Sequence, residues 1–127
     1  MGEKGYILVV DDEPMITGFL EEVLRFSGFA VSVFNDAKEL IAHYRSVHNK
    51  VGLVITDMRM PGMSGYACFK ELKKINPEVR VIALSGECSS DELNEMFMEG
   101  FCAFRKKPVS MKDLKAAIEQ AMPKETV

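Results

Sequence analysis

The sequence has little of what defines several common protein classes. It contains no tryptophan and three cysteines, Cys68, Cys88 and Cys102, with no Cys-x-x-Cys pair among them. An odd number of widely spaced cysteines argues against a disulfide framework and against a zinc site. We therefore expect free thiols in a reducing, cytoplasmic environment.

Long apolar runs and an excess of positive charge are also missing. No stretch has the length of a membrane-spanning helix, and the first residues lack the apolar core of a signal peptide. The formal net charge is −3 and the basic run Arg105–Lys107 is short, which argues against a broad surface for nucleic-acid phosphates. We expect no membrane segment and no direct nucleic-acid binding.

The sequence does contain a regular alternation of two kinds of segment. Its 127 residues suit one domain, and 47% of them are hydrophobic, enough for a core. Short apolar runs predict five strands. These are Tyr6–Val10, Ala30–Phe34, Val51–Thr56, Val79–Leu84 and Phe101–Phe104.

Helical spacing of apolar residues follows each predicted strand. The first helix is expected to end near Gly28, the third before Pro77 and the fourth at Gly100. Ser110 is placed to cap the start of the fifth. The predicted core-facing positions are Ile16, Phe19, Leu20, Val23, Leu24, Ala37, Leu40, Ile41, Tyr44, Tyr66, Phe69, Leu72, Ile75, Leu93, Met96, Phe97, Met111, Leu114, Ala117, Ile118 and Ala121.

Strands that alternate with helices predict βα units, and hence a parallel sheet with right-handed crossovers. The segments 7–10 and 53–55 are continuously apolar, as central strands covered on both faces should be. The predicted fold is a doubly wound α/β sandwich with a five-stranded parallel sheet and five helices. We expect a single domain over 1–127, with a core at about 5–122 and a frayed tail.

Functional residues in such a sheet gather beyond the carboxyl ends of the strands. The first strand leads to Asp11 and Asp12, and the third to Asp57. The fourth leads to Ser85 and the fifth to Lys107. Carboxylates that meet at one edge repel each other unless some are protonated or a cation neutralises them, and oxygen ligands favour Mg²⁺ or Mn²⁺. A carboxylate beside such an ion, with a hydroxyl and an ammonium, is equipped for phosphoryl transfer.

Four motifs, in this order, resemble the receiver domain of two-component response regulators, and the resemblance covers about Tyr6 to Met122. They are the acidic strand end 7–14, the strand and loop 54–65, the segment 83–86 and the pair 107–108. The resemblance implies a flavodoxin-like strand order, 2-1-3-4-5. It also implies that Asp57 accepts a phosphoryl group from a histidine kinase or histidine phosphotransfer protein.

The same resemblance implies roles for the neighbours of Asp57. Asp12 would bind Mg²⁺ directly, Asp11 would bind it through water, and the backbone carbonyl of Arg59 would complete the protein ligands. Ser85 would donate its hydroxyl to one phosphoryl oxygen, and Lys107 would pair with another. The protein would be a switch that assists its own phosphorylation and dephosphorylation, not a metabolic enzyme.

Phe104 stands at the position of the family's aromatic switch residue, and a cis bond is implied before Pro108. A phosphoryl group adds about −1.5 to −2 charge and would attract Ser85 and Lys107. The face formed by the fourth helix, fifth strand and fifth helix would then change shape and be read by an unknown partner or an attached output domain. The alternatives are a plain core aromatic at Phe104 and a turn former at Ser85.

Arg59 and Glu87 each lie two residues beyond a predicted site residue, so both should flank the mouth of the site. An ion pair between them would obstruct the water that hydrolyses an aspartyl phosphate and would lengthen its lifetime. The alternative is that both charges only solvate the rim, because exposed ion pairs are usually weak.

Three other functions compete with this hypothesis. A phosphatase with an aspartate nucleophile would carry a second Asp two residues later, where this chain has Arg59. A flavodoxin-like FMN carrier needs a hydroxyl-rich phosphate loop after the first strand, where segment 11–14 would repel phosphate. A receiver that only docks is disfavoured by the intact acidic pair and by Asp57, Ser85 and Lys107.

Overall fold

A computed structural model describes residues 5–86 and 89–122, except for the side chains of Ser90, Leu93 and Met96. These residues form a five-stranded parallel sheet in the order β2-β1-β3-β4-β5, which confirms the predicted fold class and strand order. A short 3₁₀ helix, His48–Lys50, precedes β3. The elements are β1 Tyr6–Val10, α1 Pro14–Phe26, β2 Ala30–Phe34, α2 Ala37–Val47, β3 Val51–Asp57, α3 Gly65–Ile75, β4 Val81–Ser85, α4 Ser90–Glu99, β5 Ala103–Lys106 and α5 Met111–Ala121.

The starts of two strands and the ends of three differ from the prediction. β3, β4 and β5 end one, one and two residues later than expected, at Asp57, Ser85 and Lys106. β4 and β5 each begin two residues later than expected, at Val81 and Ala103. Val79 and Phe101 are nevertheless buried, at 7% and 4% exposure, in the turns that lead into these strands. The apolar run therefore marks where the chain enters the core, and pairing with the neighbouring strand starts later.

The sheet separates two hydrophobic cores, because successive residues of each strand point to opposite faces. In β1, Ile7 and Val9 pack with α1 and α5, whereas Leu8 and Val10 pack with α2 and α3. All four side chains are at most 1% exposed. This two-sided burial is the physical reason for the continuous apolar run.

Three predicted core residues lie at the surface: Phe19, Phe97 and Met111 are 45%, 54% and 44% exposed. Phe19 lies at the edge of the apolar stripe of α1, and the centre of that stripe, with Leu20 and Leu24, meets the sheet. The predicted core positions Leu93 and Met96 are outside the described side chains.

The predicted helix ends are confirmed. Ser110 accepts a hydrogen bond from the N–H of Asp113, as an N-cap does. Gly28 and Gly100, just beyond α1 and α4, have φ values of 97° and 115°. Those angles lie in the left-handed region that glycine adopts without strain. None of the described helices is long and apolar enough to span a membrane.

Two of the three cysteines lie in the part of the chain that the structure describes. Cys68 and Cys102 are free thiols. Burial raises the pKa of Cys68 to about 12, so its thiol stays protonated and unreactive. Cys88 lies outside the described residues.

Helix α4 carries acidic residues at both ends and no basic residue. The N–H of Glu92 bonds to Ser89 Oγ in the first turn, where the helix dipole favours negative charge. Glu99 is the last helical residue, where the dipole disfavours negative charge, and Glu95 precedes it by one turn. The charges of α4 itself are therefore unfavourable in its C-terminal half, and the Lys73 ammonium, which lies beside Gly100, offsets part of this cost.

Glu99→Lys is expected to stabilise the protein by about 0.5–1 kcal/mol, because it reverses both unfavourable interactions. Urea denaturation at low ionic strength measures this change. Glu92→Lys makes the same charge change at the other end of the helix and is expected to lower stability. Equal effects of the two substitutions would contradict the dipole argument.

Candidate functional site

The carboxyl edge of the sheet brings four predicted residues together. Asp11 follows β1, and Asp57 is the last residue of β3. Ser85 ends β4, and Lys107 follows β5. Asp11, Asp57 and Ser85 are buried, at 1%, 6% and 2% exposure. Buried carboxylates at the end of an apolar sheet require charged or hydrogen-bonding partners.

Asp11, Asp12 and Asp57 form an acidic cluster. Each offers a carboxylate oxygen, and the three oxygens lie within 4.8 Å of one another. Burial raises the pKa of Asp57, and the neighbouring charge of Asp11 raises it further. Lys107 and the backbone N–H of Arg59 act in the opposite direction without cancelling this rise. The protein groups alone therefore leave the ionised form of Asp57 under-stabilised, as expected where a cation binds.

Lys107 bridges two of the carboxylates. Its Nζ lies 2.7 Å from Asp11 Oδ2 and 3.2 Å from Asp57 Oδ1. Burial alone would lower the pKa of Lys107, but the hydrogen bond and charge of Asp11, with those of Asp57, raise it above its ordinary value. The side chain therefore keeps its charge. The Lys107 N–H donates to the Ser85 carbonyl at 2.8 Å, and the bond to Pro108 is cis, as the resemblance implied.

The two acids after β1 differ in their surroundings. Asp11 Oδ1 accepts the N–H of Glu13 at 3.0 Å, while its Oδ2 accepts from Lys107. Asp12 is the least buried of the three carboxylates. Asp11 is thus held by protein groups, whereas Asp12 faces solvent. The predicted metal contacts, through water for Asp11 and direct for Asp12, are compatible with this difference.

The loop after Asp57 is tightly closed. The N–H of Met58 donates to the carbonyl of Leu84 at 3.0 Å, and the N–H of Gly65 donates to the carbonyl of Met58 at 3.1 Å. A side chain at position 65 would collide with the backbone of Asp57 and Met58. The loop methionines pack against the core between the sheet and helices α2 and α3; these are Met58, Met60 and Met63.

Four predicted roles are not tested by the geometry. Phe104 is half-buried in β5 and packs against the core between the sheet and helices α2 and α3. This one conformation does not test its switch role, which stays a prediction. The roles of the Ser85 hydroxyl and the Arg59 carbonyl also stay predictions. Arg59 is exposed, but Glu87 lies outside the described residues, so the ion pair between them remains a hypothesis.

Asn35, which was not predicted from the sequence, contacts the acidic loop. Its Nδ2 lies 2.8 Å from the backbone carbonyl oxygen of Asp11 and 3.1 Å from Thr17 Oγ1. Asn35 directly follows β2, whose carboxyl end adjoins that of β1. The strand-end rule, applied to β2 as well, would have identified it.

Asp57→Asn is expected to stabilise the protein in EDTA. Because folding raises the pKa of Asp57, the native state binds this proton more tightly, and the ionised group costs stability as the pH rises through that pKa. We expect a gain on the order of 1 kcal/mol at pH 7, shrinking as the pH approaches that of carboxylate protonation. Urea denaturation at pH 7, and again at a pH low enough to protonate carboxylates, measures this gain in stability. A less stable variant at pH 7 would show that the contact with Lys107 outweighs the repulsion.

Gly65→Ala is expected to destabilise the protein by about 1–3 kcal/mol, since the new methyl group forces the Asp57 backbone to move. Gly18→Ala is the matched control, because that helical position has open space around it. The control should gain about 0.5–1 kcal/mol. Thermal unfolding compares the two, and a Gly65 variant as stable as the Gly18 variant would refute the close approach.

Comparisons with known proteins agree with this geometry. Residues 7–119 match the family model of the response regulator receiver domain. The chain is 29% identical, over 94% of its length, to the DNA-binding transcriptional regulator NtrC of Salmonella typhimurium, of which it spans 25%. It is 32% identical, over 92% of its length, to the two-component response regulator ARR6 of Arabidopsis thaliana, of which it spans 69%. A receiver domain protein of Clostridium thermocellum has a TM-score of 0.86 at 35% identity, over 91% of each chain. The chain thus spans about a quarter of the bacterial regulator and about two thirds of the plant one, and it belongs to the family of response regulator receiver domains.

Proposed function

We propose that the chain is a phosphorylation-controlled switch in which Asp57 accepts a phosphoryl group from a histidine kinase or histidine phosphotransfer protein. The observation that carries the proposal is a buried carboxylate within an acidic cluster, 3.2 Å from the Lys107 ammonium. The carboxylate supplies a nucleophile, and the ammonium supplies charge for the phosphoryl oxygens.

Mg²⁺ is the proposed cofactor, and Mn²⁺ is the proposed substitute. The donor set fits, because the cluster offers carboxylate oxygens and no sulfur or imidazole. Asp12, Asp57 and the Arg59 carbonyl would hold the ion directly, with Asp11 acting through water. When bound, the ion would neutralise the carboxylates and the incoming phosphoryl oxygens.

In the proposed transfer, an oxygen of Asp57 bonds to phosphorus as the P–N bond of the donor phosphohistidine breaks. The electron pair of that bond stays on the imidazole nitrogen. Lys107 pairs with one phosphoryl oxygen, and the Ser85 hydroxyl donates to another. The domain thereby assists its own phosphorylation. Water later attacks the phosphorus, the bond to the Asp57 oxygen breaks, and the carboxylate and inorganic phosphate are released. An Arg59–Glu87 ion pair would slow that hydrolysis.

A protein donor needs a surface beside Asp57, and α1 offers one. Met15 and Phe19 are 86% and 45% exposed. A cavity of about 290 Å³ is lined by Phe19, Lys107 and Pro108, among others. Exposed apolar side chains at the mouth of a polar site support docking of a protein there.

The proposed output is a shift between two existing populations. Lys107 contacts Asp11 and Asp57 in the structure, and a phosphoryl group would offer it three further acceptor oxygens. Its movement, with that of Ser85, would change the α4-β5-α5 surface and the setting of Phe104. A downstream protein or a further domain of a longer parent chain would read the change. We propose a cytoplasmic location for this exchange.

The test is intact mass after incubation with acetyl phosphate. With Mg²⁺, the wild type is expected to gain one phosphoryl group, and Asp57→Asn or EDTA is expected to prevent it. Asp113→Asn, at an acid near the start of α5, is the matched control and should keep the adduct. An adduct that persists in Asp57→Asn would refute the acceptor. If neither acetyl phosphate nor a phosphorylated phosphotransfer protein phosphorylates the wild type, the proposal fails and the result favours a receiver domain that only docks to a partner.

A further inference from the structure

Asn35 connects the loop after β2 with the loop after β1. Its side-chain nitrogen contacts the Asp11 carbonyl oxygen at 2.8 Å and Thr17 Oγ1 at 3.1 Å. Thr17 lies in the first turns of α1, and Asp11 lies before that helix. One amide therefore holds both ends of the segment that presents the two acids.

The chemistry of the partners fixes the orientation of this amide. The Asp11 carbonyl can only accept a hydrogen bond. The hydroxyl of Thr17 donates its one proton to the carbonyl of Pro14 at 3.1 Å, so towards Asn35 it acts as an acceptor. Two acceptors require the NH₂ group of Asn35, and the carboxylate of an aspartate could not replace it.

The hydrogen bond from Asn35 to the Asp11 carbonyl determines the orientation of one peptide plane. The Asp11 carbonyl belongs to the rigid, planar peptide unit that ends at the Cα of Asp12. The N–H of Asp11 donates to the Phe34 carbonyl at 3.1 Å, and its carboxylate accepts from Glu13 and Lys107. Asn35 adds a contact to the carbonyl, and so fixes the plane from which the Asp12 side chain leaves.

We propose that Asn35 is a positioning residue for the metal site: its amide orients the Asp11–Asp12 peptide so that both carboxylates face the ion. The inference rests on the proposed function, because it concerns the proposed Mg²⁺ ligands. Asn35 is solvent-exposed, whereas its partners Asp11 and Thr17 are buried, so removal of its side chain opens both acceptors to water at a modest cost in stability. Water does not hold the peptide plane, and metal affinity is the property that changes.

The experiment is calorimetric titration of the metal-free protein with MgCl₂, combined with urea denaturation in EDTA. Asn35→Ala is expected to raise the Mg²⁺ dissociation constant about 10-fold, with only a modest loss of stability. Asn35→Asp keeps the shape but cannot donate to the Asp11 carbonyl. Asn35→Gln keeps the amide and should recover part of the affinity. At saturating Mg²⁺, phosphorylation of Asn35→Ala by acetyl phosphate should approach the wild-type rate.

Asn76→Ala is the matched control. Asn76 also donates from Nδ2, to the Tyr44 hydroxyl at 3.2 Å, but it lies after α3, at the opposite end of the sheet from Asp57. Its removal should leave the Mg²⁺ affinity unchanged.

Two results would overturn the inference alone: an unchanged dissociation constant in Asn35→Ala, or an equal rise in Asn76→Ala. If the wild type binds no Mg²⁺, the proposed metal site fails, and the inference fails with it.

Discussion

The contact of one ammonium group with two buried carboxylates is the interaction on which the rest of the site depends. Lys107 reaches Asp11 at 2.7 Å and Asp57 at 3.2 Å, and so ties the segment after β5 to the ends of β1 and β3. Such a buried arrangement is a poor source of stability, because desolvation offsets much of the attraction. Its effect is to hold acids together that would otherwise repel, while the pKa of Asp57 stays raised.

The sheet makes this concentration of charge possible. Its central strands are buried on both faces, so they form a rigid support and leave polar side chains only at their ends. Helix α4 is different, because Glu95 and Glu99 repel each other in its unfavourably charged C-terminal half. In the proposed switch, this repulsion would favour movement of α4, since regions that change shape have low local stability.

Much of this structure could be predicted from the sequence, because β-strand ends and helix caps are local signals. The strand-end rule identified Asp11, Asp57 and Lys107 without coordinates. The apolar runs did not give the starts of β4 and β5 correctly, because residues that are buried before a strand and residues that pair within it are both apolar. The exposure of Phe19 depends on how α1 leans on the sheet, which no local pattern contains. Asn35 was missed because its role depends on hydrogen bonds between two loops that are distant in sequence.

We infer that the acidic edge is a divalent cation site that the protein groups alone leave under-neutralised. Thermal unfolding of the wild type in increasing MgCl₂, against NaCl of equal ionic strength, is the decisive measurement. We expect the melting temperature to rise with Mg²⁺ as mass action requires, and we expect NaCl not to reproduce the rise. A melting temperature that is unchanged by Mg²⁺, or that rises equally in NaCl, would contradict it.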